Sequence, residues 1–368
     1  MVSVDVRIAA HEDYDRIKSM WSCCFDDNAS FVDWYFESIY RPENTLCVWE
    51  KDTMVSSLQI LPRQIFIRGA FQPVGYVVGV MTLPQYRGRG YAGHLLQAAA
   101  ELMDQRGIFL SVLVSDVDPR FYRKFGWELT HSLTEMTIEA ESAAAVAAMA
   151  DLQFRLKPAQ TDAIPLLQSY YERYCSNGRH GYFSRDSGNW RNIFADLELD
   201  SGQAYLIMNE DGASSCGYVL LLPQMQLKMH MPPKPLKIKE CVYFDALDRD
   251  DGSDSSSSFP PRLMTLNLPI KTNTKPFLMT RIINLRRLLE NCHVAQASSG
   301  YEGPPLSFEM ALNAPELASI SANTWAALIL GAADNDLYQE TMARLADPLR
   351  SQIAQLFPPA DNYACELF

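Results

Sequence analysis

The chain has 368 residues, of which 48% are hydrophobic and 21% charged. This length allows two or three domains with ordinary cores, and the composition is that of a globular protein rather than a disordered one. The formal net charge of −12 argues against broad nucleic-acid binding and favours cationic partners. Because no apolar run is long enough for a membrane span and the N-terminus has no apolar signal core, we expect a cytoplasmic protein that does not bind membranes.

The eight cysteines are scattered along the chain. Cys23 and Cys24 are adjacent, but no C-x-x-C pair occurs, so neither a zinc site nor a disulfide scaffold is indicated. We therefore expect reduced core thiols and no metal.

In chain order, the first predicted elements are a strand at Val4–Ala9 and two helices. The first helix carries apolar residues from Ile17 to Phe25 at helical spacing, and the second runs through Phe31–Ile39. The period then changes to that of short strands, which turns at Lys51-Asp52 and at Pro62 separate. These strands are predicted at Thr45–Glu50, Val55–Leu61 and Gln64–Ile67.

The segment from Val77 to Met103 holds the most informative pattern in the chain. An apolar strand ends before Pro84, a glycine- and arginine-rich loop follows at Arg87–Gly93, and a helix then carries apolar residues on one face. Such a loop presents unpaired backbone N–H groups at the positive end of a helix, and glycine lets a phosphate approach them closely. The pattern predicts a phosphorylated cofactor; the alternative is an ordinary exposed turn or an RNA-binding Arg-Gly segment.

Two further elements complete this region. Gly107 stands where a helix C-cap is expected, and Ile108–Val114 reads as a buried strand, so that a β-loop-α-β unit with two parallel strands is predicted. Asp118-Pro119 then begins a short helix, and Gly126 ends it. This helix carries Phe121, Tyr122 and Phe125.

Two motifs in this order resemble those of the GNAT superfamily of N-acetyltransferases. Arg87, Gly90 and Ala92 fill the superfamily's R-x-x-G-x-G/A pattern for acetyl-CoA. The segment Phe121–Trp127 resembles its later F-Y-x-x-x-G-F/W element. The resemblance implies that acetyl-CoA is the phosphorylated cofactor and the acetyl donor.

The rest of the chain resembles one branch of that superfamily. Strand candidates recur at Ala204–Asn209, Gly217–Leu222 and Lys239–Phe244 without a second loop motif, and helices are predicted at Ser142–Ala150, Trp325–Gly331 and Leu337–Leu349. Asp248–Ser258 is acidic and serine-rich, which predicts a solvated, mobile loop. A third region opens at Phe277–Leu289, and the chain ends in Phe368. This order is similar to that of the enhanced intracellular survival (Eis) acetyltransferases.

The Eis resemblance implies an α+β fold with tandem GNAT-like domains, each a mixed sheet flanked by helices, and a C-terminal domain like a sterol carrier protein. The implied boundaries are 1–140 for the catalytic domain, 141–270 for a degenerate GNAT-like domain and 271–368 for the last one. It also implies a homo-oligomer, with a hexamer as the family's assembly.

The cofactor would be held by the loop and by two strand ends. The backbone of Arg87–Gly93 would bind the pyrophosphate, while the strand end at Val80–Thr82 and Ser115 on the neighbouring strand would flank the pantetheine arm. Taken singly, these four strand residues equally fit ordinary strand ends. The full predicted cofactor set is Val80, Met81, Thr82, Arg87, Gly88, Arg89, Gly90, Tyr91, Ala92 and Ser115.

Acetyl transfer also needs a stabilised oxyanion, an acid for the leaving thiolate and a neutral amine. Tyr122 is the candidate acid, because a phenol with a reference pKa near 10 is protonated at neutral pH; the alternative is a core tyrosine. The resemblance implies that the C-terminal carboxylate of Phe368 is the base, brought back to the first domain by an apolar tail. The alternative for Phe368 is a frayed chain end.

For the amine substrate we expect carboxylates and aromatic rings in a cleft between the first two domains. Asp26, Asp27, Trp34 and Glu37 are candidates by position only, and the sequence favours the alternative of a solvated helix face with core aromatics. Since no cysteine stands in an activated setting, direct transfer in a ternary complex is expected rather than an acyl-enzyme. The amine is an aminoglycoside, a polyamine or a lysine-like group, a protein lysine included. The alternative of a different class is a non-catalytic lipid- or small-molecule-binding protein that uses the C-terminal domain.

Overall fold

The computed structural model of the protein describes ten stretches of the chain: residues 4–67, 70–114, 118–138, 156–176, 179–209, 212–223, 236–244, 270–291, 320–332 and 335–357. The chain divides into two compact units. The first combines Met1–His131 with His180–Ser184 and Phe277–Asn362, and the second combines Ser132–Arg179 with Arg185–Pro276. This division groups the residues differently from the three predicted domains, whose boundaries stay a prediction.

The strands form mixed β structure in the first unit and antiparallel structure in the second. In the first unit the order is β1-β2-β3-β4-β5-β11, in which β4 and β5 are parallel; in the second it is β6-β10-β9-β8-β7. The unit boundaries fall within β6 and β11. The strands are β1 Asp5–Ile8, β2 Thr45–Glu50, β3 Thr53–Ile67, β4 Ala70–Thr82, β5 Leu110–Val114, β6 Glu128–Ile138, β7 Leu156–Pro158, β8 Gln203–Met208, β9 Ser215–Pro223, β10 Leu236–Tyr243 and β11 Ile270–Ile282.

Helices accompany the strands of both units. Those of the first unit are α1 Tyr14–Cys24, α2 Ala29–Ser38, α3 Tyr91–Gln105, α4 Arg120–Arg123, α7 Leu285–Asn291, α8 Ala322–Leu330, α9 Asp336–Arg344 and α10 Asp347–Leu356. Those of the second are α5 Ile164–Ser176 and α6 Ser187–Leu199. Short 3-10 turns lie at His11–Asp13, Pro42–Asn44, Pro84–Tyr86 and Thr161–Ala163.

The two faces of the first unit's sheet carry different helices, because successive side chains of a strand point to opposite sides. Leu58 and Ile60 of β3 pack in one core with Leu95 of α3. Gln59, between them, points the other way, where its Oε1 accepts a hydrogen bond of 2.9 Å from the Tyr35 hydroxyl of α2. The sheet is therefore flanked by α3 on one face and by α1 and α2 on the other.

A short segment from the middle of the sequence, residues 180–184, completes the edge of β3. The backbone N–H of Phe66 donates to Tyr182 O over 2.8 Å, and that of Gly181 donates to Phe66 O over 2.8 Å. The ring of His131 at the start of β6 places Nε2 3.1 Å from Gly181 O. These bonds assign residues 180–184 to the first unit.

The second unit has a buried ion pair at its centre. Arg185 donates two hydrogen bonds to Glu240, of 2.8 and 2.7 Å, and both side chains are almost fully buried. The Arg185 guanidinium also lies 4.1 Å above the ring of Tyr171 in α5. The pair satisfies the charges of both groups where water does not reach them.

Two predicted element boundaries were wrong. Pro62 does not separate two strands but lies inside the 15-residue β3, opposite Gly75 of β4. Pairing with β2 ends at Gln59, so the proline sits where that edge of β3 has no β2 partner and its missing N–H disrupts no bond there. The predicted helix Leu337–Leu349 is two helices, α9 and α10, because Pro348 in the first turn of α10 starts a new helix.

Several other predictions were confirmed. The β-loop-α-β unit with parallel strands is present as β4, α3 and β5. Gly107 has φ of +72° after α3, and Gly126 has φ of +91° after α4, as expected for residues that end helices. The predicted helix Ser142–Ala150, the loop Asp248–Ser258, Ser115 and Phe368 lie outside the described residues.

Candidate functional site

The parallel strands β4 and β5 diverge towards their carboxyl ends. They are paired only from Val74 and Leu110 to Tyr76 and Val112. Beyond that point β4 stays paired with β3 as far as Thr82, and β5 stays paired with β11 as far as Val114. The facing edges of the two strands therefore separate and leave backbone groups directed into the opening between them.

A β-bulge lies in β4 on this opening. The register of β3 against β4 shifts between Gln59 and Ser57, so that Leu58 faces both Gly79 and Val80. Gly79 has φ of +58°, and a Cβ there would lie 2.5 Å from Trp21 of α1. Glycine is thus required both by the backbone conformation and by the indole packed against it, and the bulge turns the following residues Val80–Thr82.

The loop after β4 is built to receive an anion. Gly88 and Gly90 have φ of +77° and +86°, and Gly90 is the N-cap of α3. The backbone N–H groups of Gly88–Ala92 have no hydrogen-bond acceptor among the described residues. A Cβ on either glycine would meet nothing within 4 Å, so the approach to these N–H groups is open. Five free donors at the positive end of a helix form the cradle that a pyrophosphate needs.

The side chains of this loop are partly engaged by the protein itself. Arg87 Nε donates to Thr82 O over 3.1 Å. Arg89 lies 3.5 Å from the Glu50 carboxylate and also donates to Gln85 O. The buried Tyr91 donates its hydroxyl to Glu50 over 2.8 Å. Arg89 is therefore partly neutralised, and what Tyr91 offers a cofactor is its backbone N–H, not its ring.

The segment that carries Tyr122 packs against the start of α3. Tyr122 is 9% exposed and belongs to the same core as Tyr91, Leu95 and Leu96. A Cβ on Gly93 in the first turn of α3 would lie 2.9 Å from the Phe125 ring. Because glycine permits this approach, the anion loop and the α4 turn lie side by side.

The predicted amine-binding residues lie on the other face of the sheet. Asp26 is exposed in the turn between α1 and α2, Glu37 is exposed on α2, and Trp34 is half-buried beside Phe31 at 5.7 Å between ring centroids. Asp27 accepts a hydrogen bond of 2.8 Å from Trp21 Nε1. Asp27 thus holds the indole that contacts the bulge.

Cys24 joins α1 to the end of β4. Its Sγ lies 3.5 Å from Thr82 O, the same carbonyl that Arg87 contacts. Burial raises the pKa of the Cys24 thiol, and the nearby Arg87 partly offsets this rise. The thiol is therefore a structural donor at neutral pH.

Sequence patterns did not reveal Glu50 or Cys24 as parts of this region, and the bulge at Gly79 was not predicted. Gly79 carried one usable signal, because a glycine inside an apolar strand is typical of a bulge. The polar partner Glu50 could not be found this way, since it meets the loop only through the pairing of distant strands.

The described residues contain neither a membrane-spanning helix nor a metal-binding cluster of side chains. No helix within them is long and apolar enough to cross a membrane. Nor do they contain a group of three or more His, Cys, Asp or Glu side chains placed to hold a metal ion.

Diverging parallel strands, a bulge in the first of them and an anion loop at the N-terminus of the intervening helix define the GNAT acetyltransferase fold. The comparisons agree with this class: the family model of the acetyltransferase (GNAT) domain matches residues 5–130, roughly the first third of the chain. A search of curated protein sequences found no match.

Solved structures extend the likeness in fold to the whole chain. A GCN5-related N-acetyltransferase from Anabaena variabilis is 18% identical, with a TM-score of 0.70 over 96% of this chain and 97% of that one. One from Kribbella flavida is 17% identical, with a TM-score of 0.69 over 100% of both chains. Eis1 from Mycobacterium abscessus is 14% identical, with a TM-score of 0.53 over 77% of this chain and 75% of that one. The family model thus identifies a GNAT acetyltransferase domain at residues 5–130, and the solved structures share the fold of the chain beyond it.

Proposed function

We propose that this protein transfers an acetyl group from acetyl-CoA to the amine of a small cationic molecule, directly and within a ternary complex. The observation that carries the proposal is the row of five free N–H groups at Gly88–Ala92 beside the diverging ends of β4 and β5. When bound, acetyl-CoA supplies the activated acetyl thioester. The residues present fit its pyrophosphate, since the N–H groups and the approach to them are free.

The strand end at Val80–Thr82 takes the pantetheine side of the cofactor in this proposal. After the bulge at Gly79, β4 has no pairing to β5. Thr82 O accepts from Arg87 and Cys24, and Met81 O accepts from Ser56, so the remaining backbone groups on that edge are proposed to bond the amides of the ligand. Ser115, which follows β5 in the sequence, is proposed to act from the opposite side.

Tyr122 is the proposed acid. It lies in a core shared with the first turn of α3, next to the anion loop. The proposed base is the terminal carboxylate of Phe368. The base would take a proton from the amine, and Tyr122 would give one to the leaving thiolate. Direct transfer with these two groups needs no covalent enzyme intermediate.

The proposed acceptor site lies near α1 and α2, with Asp26 and Glu37 as exposed carboxylates and Trp34 as an aromatic wall. Carboxylates attract an ammonium group, and aromatic rings bind cations through their faces. A lysine side chain of a protein is an acceptor of the same chemistry. Four expectations from the sequence stay predictions. They are the likeness to the Eis family, the sterol-carrier-like C-terminal domain, the cytoplasmic location and assembly into a homo-oligomer, with a hexamer as the predicted form.

The proposal is tested by measuring thiol release from acetyl-CoA with a panel of amines: an aminoglycoside, spermidine, lysine and a lysine-containing peptide. The protein must carry its native C-terminus. We expect amine-dependent thiol release, and Tyr122→Phe should lower kcat while leaving the Kd for acetyl-CoA unchanged. Tyr205→Phe in the second unit is the matched control and should retain full activity.

Three results would count against the proposal. If no amine promotes thiol release although acetyl-CoA binds, the protein is not an N-acetyltransferase for these acceptors. An unchanged kcat in Tyr122→Phe would remove this phenol from the mechanism. A protein without affinity for acetyl-CoA would favour the non-catalytic binding function.

A further inference from the structure

Glu128, the first residue of β6, is a buried carboxylate next to the turn that carries Tyr122. Its side chain is only 1% exposed. Arg123 holds it with Nε at 3.0 Å from each carboxylate oxygen and with a second nitrogen at 2.6 Å from Oε1. The backbone N–H of Leu129 donates to it over 3.0 Å. A buried charge of this kind is stable only when most of its lone pairs are occupied.

The remaining donors to Glu128 come from about 200 residues further along the chain. Asn323 in α8 places Nδ2 3.4 Å from Glu128 Oε2 and 3.2 Å from Trp127 O. Asn335, which precedes α9, places Nδ2 3.3 Å from Glu128 Oε1 and 2.8 Å from Leu129 O. Each asparagine thus bonds one carboxylate oxygen and one flanking backbone carbonyl. We call this arrangement of Asn323, Asn335 and Glu128 the asparagine clamp.

The amide of Asn335 has two tasks that only an amide combines. Its Oδ1 accepts from Leu337 N over 2.8 Å and caps α9, while its Nδ2 donates to Glu128 and Leu129 O. An aspartate would cap the helix equally well but has no N–H to donate. The residue type therefore follows from the clamp and not from the cap alone.

The clamp reaches Tyr122 through one closed turn. Arg123 follows Tyr122 directly and is fixed by Glu128. Tyr122 O accepts from Phe125 N over 2.9 Å and from Trp127 N over 3.3 Å, and Gly126 with φ of +91° closes the turn. Tyr122, Arg123 and Glu128 therefore belong to one hydrogen-bonded turn, which links the position of Glu128 to that of Tyr122.

We propose that Asn323 and Asn335 are positioning residues for acetyl transfer, which hold Glu128 and through it the Tyr122 turn in register with the anion loop. This inference rests on the proposed function. The inference assigns two residues from the last part of the chain, Asn323 and Asn335, a role in acetyl transfer. This role does not depend on whether the C-terminal carboxylate is the base. Misplacement of a reacting group by about 1 Å can lower a rate about 100-fold.

The test is Asn335→Asp in the full-length protein. This variant keeps the helix cap, removes the donor and sets a second carboxylate beside Glu128. We expect kcat for acetyl transfer to fall on the order of tenfold or more, while the Kd for acetyl-CoA stays within about twofold, because the anion loop is untouched. Asn323→Ala should shift the same two quantities in the same directions.

Ser321→Ala is the matched control. Ser321 Oγ accepts from Thr324 N at the N-terminus of α8, so this variant weakens a cap in the same region without changing any of the three clamp residues. It should lower the unfolding temperature, since a lost cap costs about 1 kcal/mol. Its kcat should match that of the wild type.

A pH series separates positioning from general weakening. As pH falls and the introduced carboxyl takes up a proton, it can donate to Glu128 again. The ratio of wild-type to Asn335→Asp kcat should therefore shrink from pH 8 to pH 5.5, whereas that for Ser321→Ala should stay near one.

Three outcomes would overturn the inference. They are a wild-type kcat in both clamp variants, an equal loss of kcat in Ser321→Ala, and a ratio for Asn335→Asp that does not change with pH. The wild type is assayed beside the variants. If the wild type itself shows no acetyl transfer, the proposed function and the clamp are both contradicted. The three outcomes above contradict the clamp alone.

Discussion

His131 makes the stability of the first unit depend on pH. Its ring is 3% exposed, with Nδ1 2.9 Å from Thr130 Oγ1 and Nε2 3.1 Å from Gly181 O. Burial lowers the pKa of His131 from 6.5 to about 4, and the bond to Gly181 O opposes this shift only in part. The folded unit therefore holds a neutral ring, whereas the unfolded chain takes up a proton as pH falls below its ordinary pKa.

The sign and size of the effect follow from this difference. Because the folded pKa is depressed, the stabilisation is fully present above pH 6.5 and is lost as pH falls towards 4. At pH 4.5 the loss amounts to ~2.5 kcal/mol, since each pKa unit corresponds to about 1.4 kcal/mol. The loss is large against the ordinary stability of a domain.

The assay is urea unfolding of the wild type and His131→Gln at pH 7.5 and pH 4.5. Carboxylates titrate equally in both proteins, so the difference between them isolates the histidine. We expect the wild type to lose ~2.5 kcal/mol more than the variant over this interval. Equal losses in the two proteins would show that His131 titrates normally in the folded state and would refute the reasoning.

Three further predictions concern the anion loop, the bulge in β4 and the C-terminus. Glu50→Gln should tighten acetyl-CoA binding on the order of threefold at low salt, because it removes the carboxylate that partly neutralises Arg89. Tyr91→Phe keeps that carboxylate and should leave the affinity for acetyl-CoA unchanged. Equal effects of the two variants would exclude a charge mechanism. Gly79→Ala should destabilise the protein by about 1–3 kcal/mol more than Gly107→Ala, because both have positive φ but only the first Cβ meets an indole; similar unfolding temperatures would contradict that contact. A tag appended after Phe368 should abolish turnover without changing acetyl-CoA binding, and a fully active tagged protein would rule out the terminal carboxylate as base.

The sequence was most informative where one local pattern decides the structure. Arg87–Gly93 lies between an apolar strand and a helix, so its glycines predicted both the turn and the free N–H groups that the structure contains. Gly107 and Gly126 were likewise recognised as helix ends, because positive φ is a local property. The GNAT fold was predicted from the resemblance of this loop and of Phe121–Trp127 to the motifs of the superfamily.

Features that depend on distant pairing could not be predicted in this way. Asn323 and Asn335 meet Glu128 across 195 and 207 residues, and nothing in their neighbours marks them. The segment 180–184 joins the first unit only because it pairs with the edge of β3. The predicted strand break at Pro62 was wrong for the same reason, since whether a strand tolerates a proline depends on which strand lies beside it.

The most direct test of acetyl-CoA binding by the loop is calorimetric titration of the wild type and of Gly90→Val. Gly90 has φ of +86°, which a β-branched residue does not adopt readily, so the variant should distort the row of N–H groups at the start of α3. We expect one acetyl-CoA bound per wild-type chain and an affinity at least tenfold weaker in the variant, with unfolding temperatures that remain similar. No binding to the wild type, or equal affinity in both proteins, would contradict the assignment of this loop as the acetyl-CoA site.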